Sequence, residues 1–281
     1  MRSPTWFLLT ALLANSATGA ALTQAPALAP ASVTRSEPAS KEELAAITAR
    51  GRLLTEYDRA AWQGSDAVAK FASAMQPGSV YVADKVKDKW IVSFGYLSAD
   101  GDQFVVILEA TQKDKNSFKG AKLDKPRAET GRLLAMAKAI ATCRSQFKGE
   151  QRPYNAAVLP EASGRWWVYV MPAQTDNGVY PLGGDVRYQV SADGGTILET
   201  RQLHVVVNDF KGAPLLQGTP AMMVHTAVLD DLPEDTDVFF AMTYKPAVLQ
   251  LIMTKNFVYG VQSTGDVRFM MKTADFIKKK P

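Results

Sequence analysis

The sequence predicts an α+β protein, with N-terminal helices around an antiparallel meander and a C-terminal half built mostly of antiparallel strands. Three observations carry that expectation. Apolar residues recur at helical spacing in two stretches, before residue 76 and from 133 to 141. Three apolar runs between residues 80 and 110 are joined by short polar connections, which suit antiparallel neighbours. Beyond residue 166 the spacing changes to period two. With 47% hydrophobic and 21% charged residues, the 281-residue chain has enough apolar side chains for a sizeable core, as one large domain or two small ones.

In chain order, residues 1–20 read as a secretory signal: Arg2 supplies the positive start, residues 6–14 the apolar stretch, and Ser16, Ala17, Thr18, Gly19 and Ala20 the small residues for cleavage. An apolar stretch of about nine residues falls far short of the roughly 20 that span a bilayer. The expected mature protein is therefore periplasmic or secreted, without a transmembrane anchor. Residues 21–39, with Pro26, Pro30 and Pro38 among alanines and serines, read as a flexible leader.

Ser40 and Glu43 have capping-box spacing and open a helix that presents Leu44, Ile47, Leu54, Tyr57 and Ala61. A second, shorter helix is expected after Ser65, with Val68, Phe71, Ala72 and Met75, stopped by Pro77 and Gly78. Strands are expected at 80–84, 90–97 and 104–110. Residues 112–125 read as a polar connection, and a third helix opens after Pro126, carries Leu133, Leu134, Ala137, Ile140 and Ala141, and ends by Gly149. The expected division is 40–150 and 151–281, with a seam at 149–160 or one continuous domain.

Beyond the seam, strands are expected at 166–171, 186–191 and 196–207, the last two joined by the hairpin turn Ala192-Asp193-Gly194-Gly195. Val186, Tyr188 and Val190 fall on one face and Arg187, Gln189 and Ser191 on the other, the pattern of a sheet with one face in water. Apolar segments follow at 222–229, 249–261 and 267–271. Residues 238–244 fit a strand or a short helix equally, because a run of seven does not fix the period.

Composition and missing motifs narrow the function. A single cysteine, Cys143, excludes an intramolecular disulfide and cysteine-rich zinc patterns; its place on a helical apolar pattern predicts burial. A net charge of +4 does not single out a nucleic-acid binder. G-x-S-x-G, G-x-x-x-x-G-K-[ST], G-x-G-x-x-G and H-E-x-x-H are all absent, and only His204 and His225 are available for histidine chemistry.

Lys113, Lys115, Lys119 and Lys122 concentrate positive charge in the 112–125 connection, which reads as a solvated loop or as a docking site for an anionic envelope component or acidic protein partner. Trp166 and Trp167 alternate across a strand, so one indole is expected in the core while the other offers a stacking surface. Pro181-Leu182-Gly183-Gly184-Asp185 reads as a tight turn. Asp230, Asp231, Glu234, Asp235 and Asp237 form an acidic segment, expected as a solvated loop beside Pro233.

Residues 224–261, VHTAVLDDLPEDTDVFFAMTYKPAVLQLIMTKNFVYGV, resemble the metal-binding core of the JAB/MPN (JAMM) metalloprotease family. In that family a strand ends in His-x-His, a Pro-Ser-x-x-Asp turn supplies another ligand, and a helix and an apolar strand follow. The resemblance places His225 at the first histidine, Pro233 and Asp237 at the Pro and Asp of the turn, and 249–254 at the later strand. Ala227 stands where the second histidine would be and Glu234 where the serine would be. His225 and Asp237 are two ligands where a catalytic zinc site keeps three. His204 or Glu199 would complete the set if the hairpin strand lay alongside, with Glu199 or Glu109 as a remote general base.

Two functions follow: an exported, non-catalytic envelope binding protein without a cofactor, which sparse catalytic residues favour, or a degenerate JAB/MPN-like zinc metallohydrolase.

Overall fold

The computed structural model describes residues 33–212 and 222–278. The expected signal and residues 21–32 of the leader lie outside them. The mixed α+β architecture is as expected.

Helix α1 (Lys41–Val68) starts at the capping box: the Glu43 N–H donates to Ser40 Oγ (3.1 Å) and the Ser40 N–H donates to Glu43 Oε2 (2.8 Å). Leu44, Ile47, Leu54, Tyr57 and Ala61 are all buried. The helix does not restart at Ser65. Its hydroxyl donates to the Ala61 carbonyl one turn back (2.8 Å), so α1 runs on to Val68 and a short 3-10 turn over Ala69–Ala74 completes the segment.

Strands β1 (Val80–Val86), β2 (Lys89–Leu97), β3 (Phe104–Asp114) and β4 (Ser117–Glu129) form an antiparallel meander in that order. The expected basic loop is thus corrected to the arms of a long β3–β4 hairpin. Phe118 and Leu123 pack against the core from β4, while Lys113, Lys115, Lys119 and Lys122 project into solvent. Pro126 does not end this segment. It lies on an edge strand, in a stretch where pairing with β3 skips from Lys122 to Arg127, so its missing N–H leaves no ladder bond unmade. Helix α2 (Arg132–Gln146) consequently begins later than expected, and buries Leu134, Met136, Ala137, Ile140 and Cys143.

The expected seam contains strand β5 (Tyr154–Pro160), four of whose residues are buried. It is followed by β6 (Trp166–Pro172), β7 (Val179–Leu182), β8 (Val186–Val190), β9 (Ile197–Gln202) and β10 (Asn208–Lys211). A second antiparallel sheet has the order β5-β6-β8-β9, and β7 pairs with β10. One buried apolar cluster takes residues from α1, the meander, α2 and this second sheet, from Leu54 to Leu203.

The third sheet comprises β11 (Met222–Thr226), β12 (Leu249–Met253), β13 (Phe257–Val261) and β14 (Val267–Lys272), with a last helical turn, α4, at Thr273–Lys278. The run 249–261 is a hairpin. Strands β11 and β12 are parallel, so a crossover must join them. Helix α3 (Asp235–Thr243) is part of that crossover, which resolves the ambiguous run as helix. Helix α3 crosses α1 at Gly51, where a Cβ would lie 2.4 Å from the Val238 Cβ, so only glycine permits the approach.

The end of the leader is bound to the fold. Val33 bridges to Asp230 in parallel, the Arg35 N–H donates to Asp231 Oδ2 (2.9 Å), and Ala39 is buried with its N–H on the Tyr259 hydroxyl (3.0 Å). Residues 33–39 are therefore ordered by backbone hydrogen bonds that their small side chains did not reveal. Among the described residues, no helix is long and apolar enough to cross a membrane.

Candidate metal centre

The segment from Asp230 to Asp237 links β11 to α3, and all five of its carboxylates are buried, not solvated as expected. Guanidinium groups from other elements make this possible. Asp235 ion-pairs with Arg50 of α1 (2.9 Å) and with Arg187 of β8, and accepts from the Tyr169 hydroxyl of β6 (2.8 Å). Arg201 of β9 binds Asp230 (2.9 Å) and Glu234 (2.6 Å). Asp231 accepts the Arg35 and Asn256 backbone N–H groups. Burying a charge is tolerated only with such partners.

Arg187 and Arg201 face each other across β8 and β9. The face of the second sheet assigned to water is there covered by the N-terminus of α3, and the Arg187 side chain is only 11% exposed. Alternation marks a polar face; it does not say whether water or a carboxylate meets it. Burial pushes the Glu234 carboxyl up to about 7 against the pull of Arg201.

At the far end of this segment three ligand-type side chains converge. Asp237 Oδ1 accepts from His225 Nε2 of β11 (2.8 Å) and from His204 Nε2, just past β9 (3.1 Å). Asp237 Oδ2 accepts the Glu234 N–H (2.7 Å), which fixes the carboxylate at the start of α3. One ligand atom from each of His204, His225 and Asp237 lies within 4.8 Å of the others. Asp237 is fully buried, and the His204 and His225 side chains are nearly so, 9% and 12% exposed.

The other nitrogen of His204 is also held: Nδ1 donates to Asp185 Oδ1 (2.8 Å), and Asp185 is buried. The turn before β8 positions that carboxylate. Gly183 has φ +99° and lies so close to the 204–207 segment that a Cβ would be 2.1 Å from the Val206 carbonyl oxygen. The Leu203 N–H donates to the Asp185 carbonyl, which completes the join. Burial pulls the His204 pKa down, but the Asp185 and Asp237 carboxylates outweigh it and hold the imidazole well above its usual range. Both partners only accept, so both ring nitrogens donate and the ring is the cation. Burial likewise opposes ionisation of Asp237, and the two imidazoles more than offset it, holding the group well below the carboxylate range.

The three side chains are of the type that holds a small metal ion: ligands about 2.0–2.1 Å from a tetrahedral zinc lie roughly 3.3 Å apart, so the histidine–Asp237 contacts at 2.8 and 3.1 Å would open by a few tenths of an ångström, while the widest separation of the three ligand atoms, up to 4.8 Å, would have to close. Metal would replace the protons the histidines now share with Asp237.

The remaining candidates lie elsewhere. Glu109 is paired with Arg127 at 2.6 Å on the meander, and Glu199 is an exposed residue of β9; among the described residues no hydrogen bond or ion pair joins either to the histidines. Trp166 is buried beneath Arg132, and half-buried Trp167 carries the Arg187 guanidinium on one face, 4.8 Å from the ring centroid. Cys143 is buried as expected, which pushes its thiol up to about 12. Asp185, Arg187 and Arg201 were not singled out. Asp185 was visible only as the residue after a Gly-Gly turn, and the arginines only as the polar half of an alternating strand. Compared with protein-family models, curated proteins and solved structures, the chain matches none.

Proposed function

We propose that the protein is exported, that it holds one zinc ion through His204, His225 and Asp237, and that the ion is of the catalytic, water-activating type. The observation that carries this reading is the convergence of the three ligand atoms within 4.8 Å. Its support is chemical. Catalytic zinc keeps three protein ligands and an open fourth position, whereas structural zinc is closed by four. Zinc in such a site brings the pKa of a bound water down to about 7 and polarises a carbonyl, the chemistry of ester and amide hydrolysis. Asp185 holds His204 with Nε2 toward the ion, as carboxylates behind metal-bound histidines do. The reading keeps the ligand roles that the JAB/MPN resemblance gives His225 and Asp237 and adds His204 as the third ligand.

A second reading, zinc binding without catalysis, is favoured by one observation: Glu109 and Glu199, the candidate bases, are not joined to the histidines. Elemental analysis of protein purified without chelator or histidine tag tests the site. Near-stoichiometric zinc that disappears in His225→Ala is expected, and metal-free wild type after incubation with excess zinc overturns both readings. Zinc-dependent turnover of activated esters or peptides with an apparent pKa near 7 then separates hydrolase from carrier.

A further inference from the structure

On the side of the third sheet where the leader docks lies a cleft of about 350 Å³, lined by Arg35, Ser36, Lys255, Asn256, Phe257, Lys272 and Ala274. That volume is at the small end of the range for small-molecule sites. Its composition is one-sided: three of the seven lining residues are cations and none is an acid.

The charge balance can be followed residue by residue. Arg35 is compensated by Glu43 at 2.8 Å. Asp231, which lies beneath the cleft, is buried and already accepts the Arg35 and Asn256 backbone N–H groups and the Asn256 side-chain amide. Neither Lys255 nor Lys272 is in an ion pair among the described residues. Two ammonium charges therefore face the cleft without a counter-charge.

Their placement is fixed by the sheet. Lys272 lies directly opposite Phe257 in the β13–β14 ladder, Lys255 sits in the turn two residues before Phe257, and the Thr273 N–H donates to the Asn256 carbonyl (2.9 Å), holding turn and strand together. The β12–β13 turn, strand β14 and the leader thus bring together Lys255, Lys272 and Arg35. Phe257, buried and packed edge-on to Phe269, gives the cleft an apolar floor.

We propose that this cleft binds a phosphate monoester, with Lys255 and Lys272 on the phosphate and Ser36 as a hydroxyl donor. A monoester carries about −1.5 to −2 charges at pH 7, matching the two uncompensated lysines, and lysine serves as a point-charge partner for phosphate. The site stands apart from the metal centre and does not depend on it. The same chemistry comes from a soluble phosphorylated molecule or from a phosphate-terminated lipid headgroup.

The test uses the whole mature chain at low ionic strength. Glycerol 3-phosphate and inorganic phosphate are titrated calorimetrically, and vesicles of phosphatidylcholine with and without phosphatidic acid are tested by flotation. Lys255→Ala with Lys272→Ala is compared with Lys113→Ala with Lys115→Ala on the β3–β4 hairpin; all four side chains are exposed, and thermal melting checks that both variants fold. The expected result is binding weakened at least tenfold in the cleft variant and unchanged in the hairpin variant. Binding of the soluble esters identifies a soluble ligand; binding to phosphatidic acid vesicles alone identifies the headgroup. No binding to any probe, or equal loss in both variants, overturns the site.

Discussion

The protein has two buried regions of opposite chemistry. The cluster between α1, α2 and the first two sheets is apolar, with Leu54, Phe94, Phe104, Met136 and Ile140 at its centre. The contact between the second sheet, α1 and the start of α3 is ionic, built from Asp235, Glu234, Arg50, Arg187 and Arg201. An apolar contact is non-directional and roughly proportional to area, so it survives a change of shape. A buried ion pair holds only while every charge keeps its partner. The first region tolerates substitution by similar side chains; the second positions Asp237 and the histidines and does not.

The sharpest way to break this comparison is a pair of nearly isosteric substitutions. Asp235→Asn removes the charge that Arg50 and Arg187 share and is expected to cost about 3 kcal/mol or more. Leu54→Met in the apolar core should cost less than about 1.5 kcal/mol. Urea titration of both variants decides it, and equal losses would mean that the two regions obey the same rule.

Next in size is the effect of metal. Zinc at about 100 times its dissociation constant should add about 2.7 kcal/mol of stability. Asp185→Asn should weaken zinc affinity about 10- to 100-fold, because the partner of the His204 Nδ1–H loses its negative charge and becomes a weaker, neutral acceptor. Unchanged affinity in competition with a chromogenic chelator would remove Asp185 from the site.

A smaller effect is expected where the regions meet. Gly51→Ala places a methyl group 2.4 Å from the Val238 Cβ and 2.7 Å from the Asp235 carbonyl oxygen, and should cost about 1–3 kcal/mol that Val238→Ala, which keeps that Cβ, does not restore. An unchanged thermal melt in Gly51→Ala would show that the close crossing of α1 and α3 does not require glycine. The smallest is Ser40→Ala, which deletes the cap of α1 and should cost about 1 kcal/mol while leaving zinc affinity unchanged.

The two regions also differ in how legible they were. Residues 41–68 announce a helix because the capping box and the apolar spacing are local, and the hairpin around Asp193 announces itself through its glycines. Asp237 and His225 were legible as candidate ligands, but His204 entered only as a condition on where a strand would lie. The acidic segment and the alternating arginines each looked like solvated surface when read alone. They neutralise each other across segments 29 to 48 residues apart, a separation at which sequence patterning carries no signal.

The mixed α+β class, the apolar faces of α1 and α2 and the burial of Cys143 were fixed by local patterning, because these follow from periodicity and side-chain type within a few residues. Only the tertiary structure decided that the basic stretch is a hairpin, that the acidic residues are buried, and that Asp185, His204, His225 and Asp237 form one hydrogen-bonded chain. The reason is physical: a lone charge belongs in water, and it enters the interior only when the fold brings its partner from a distant part of the chain.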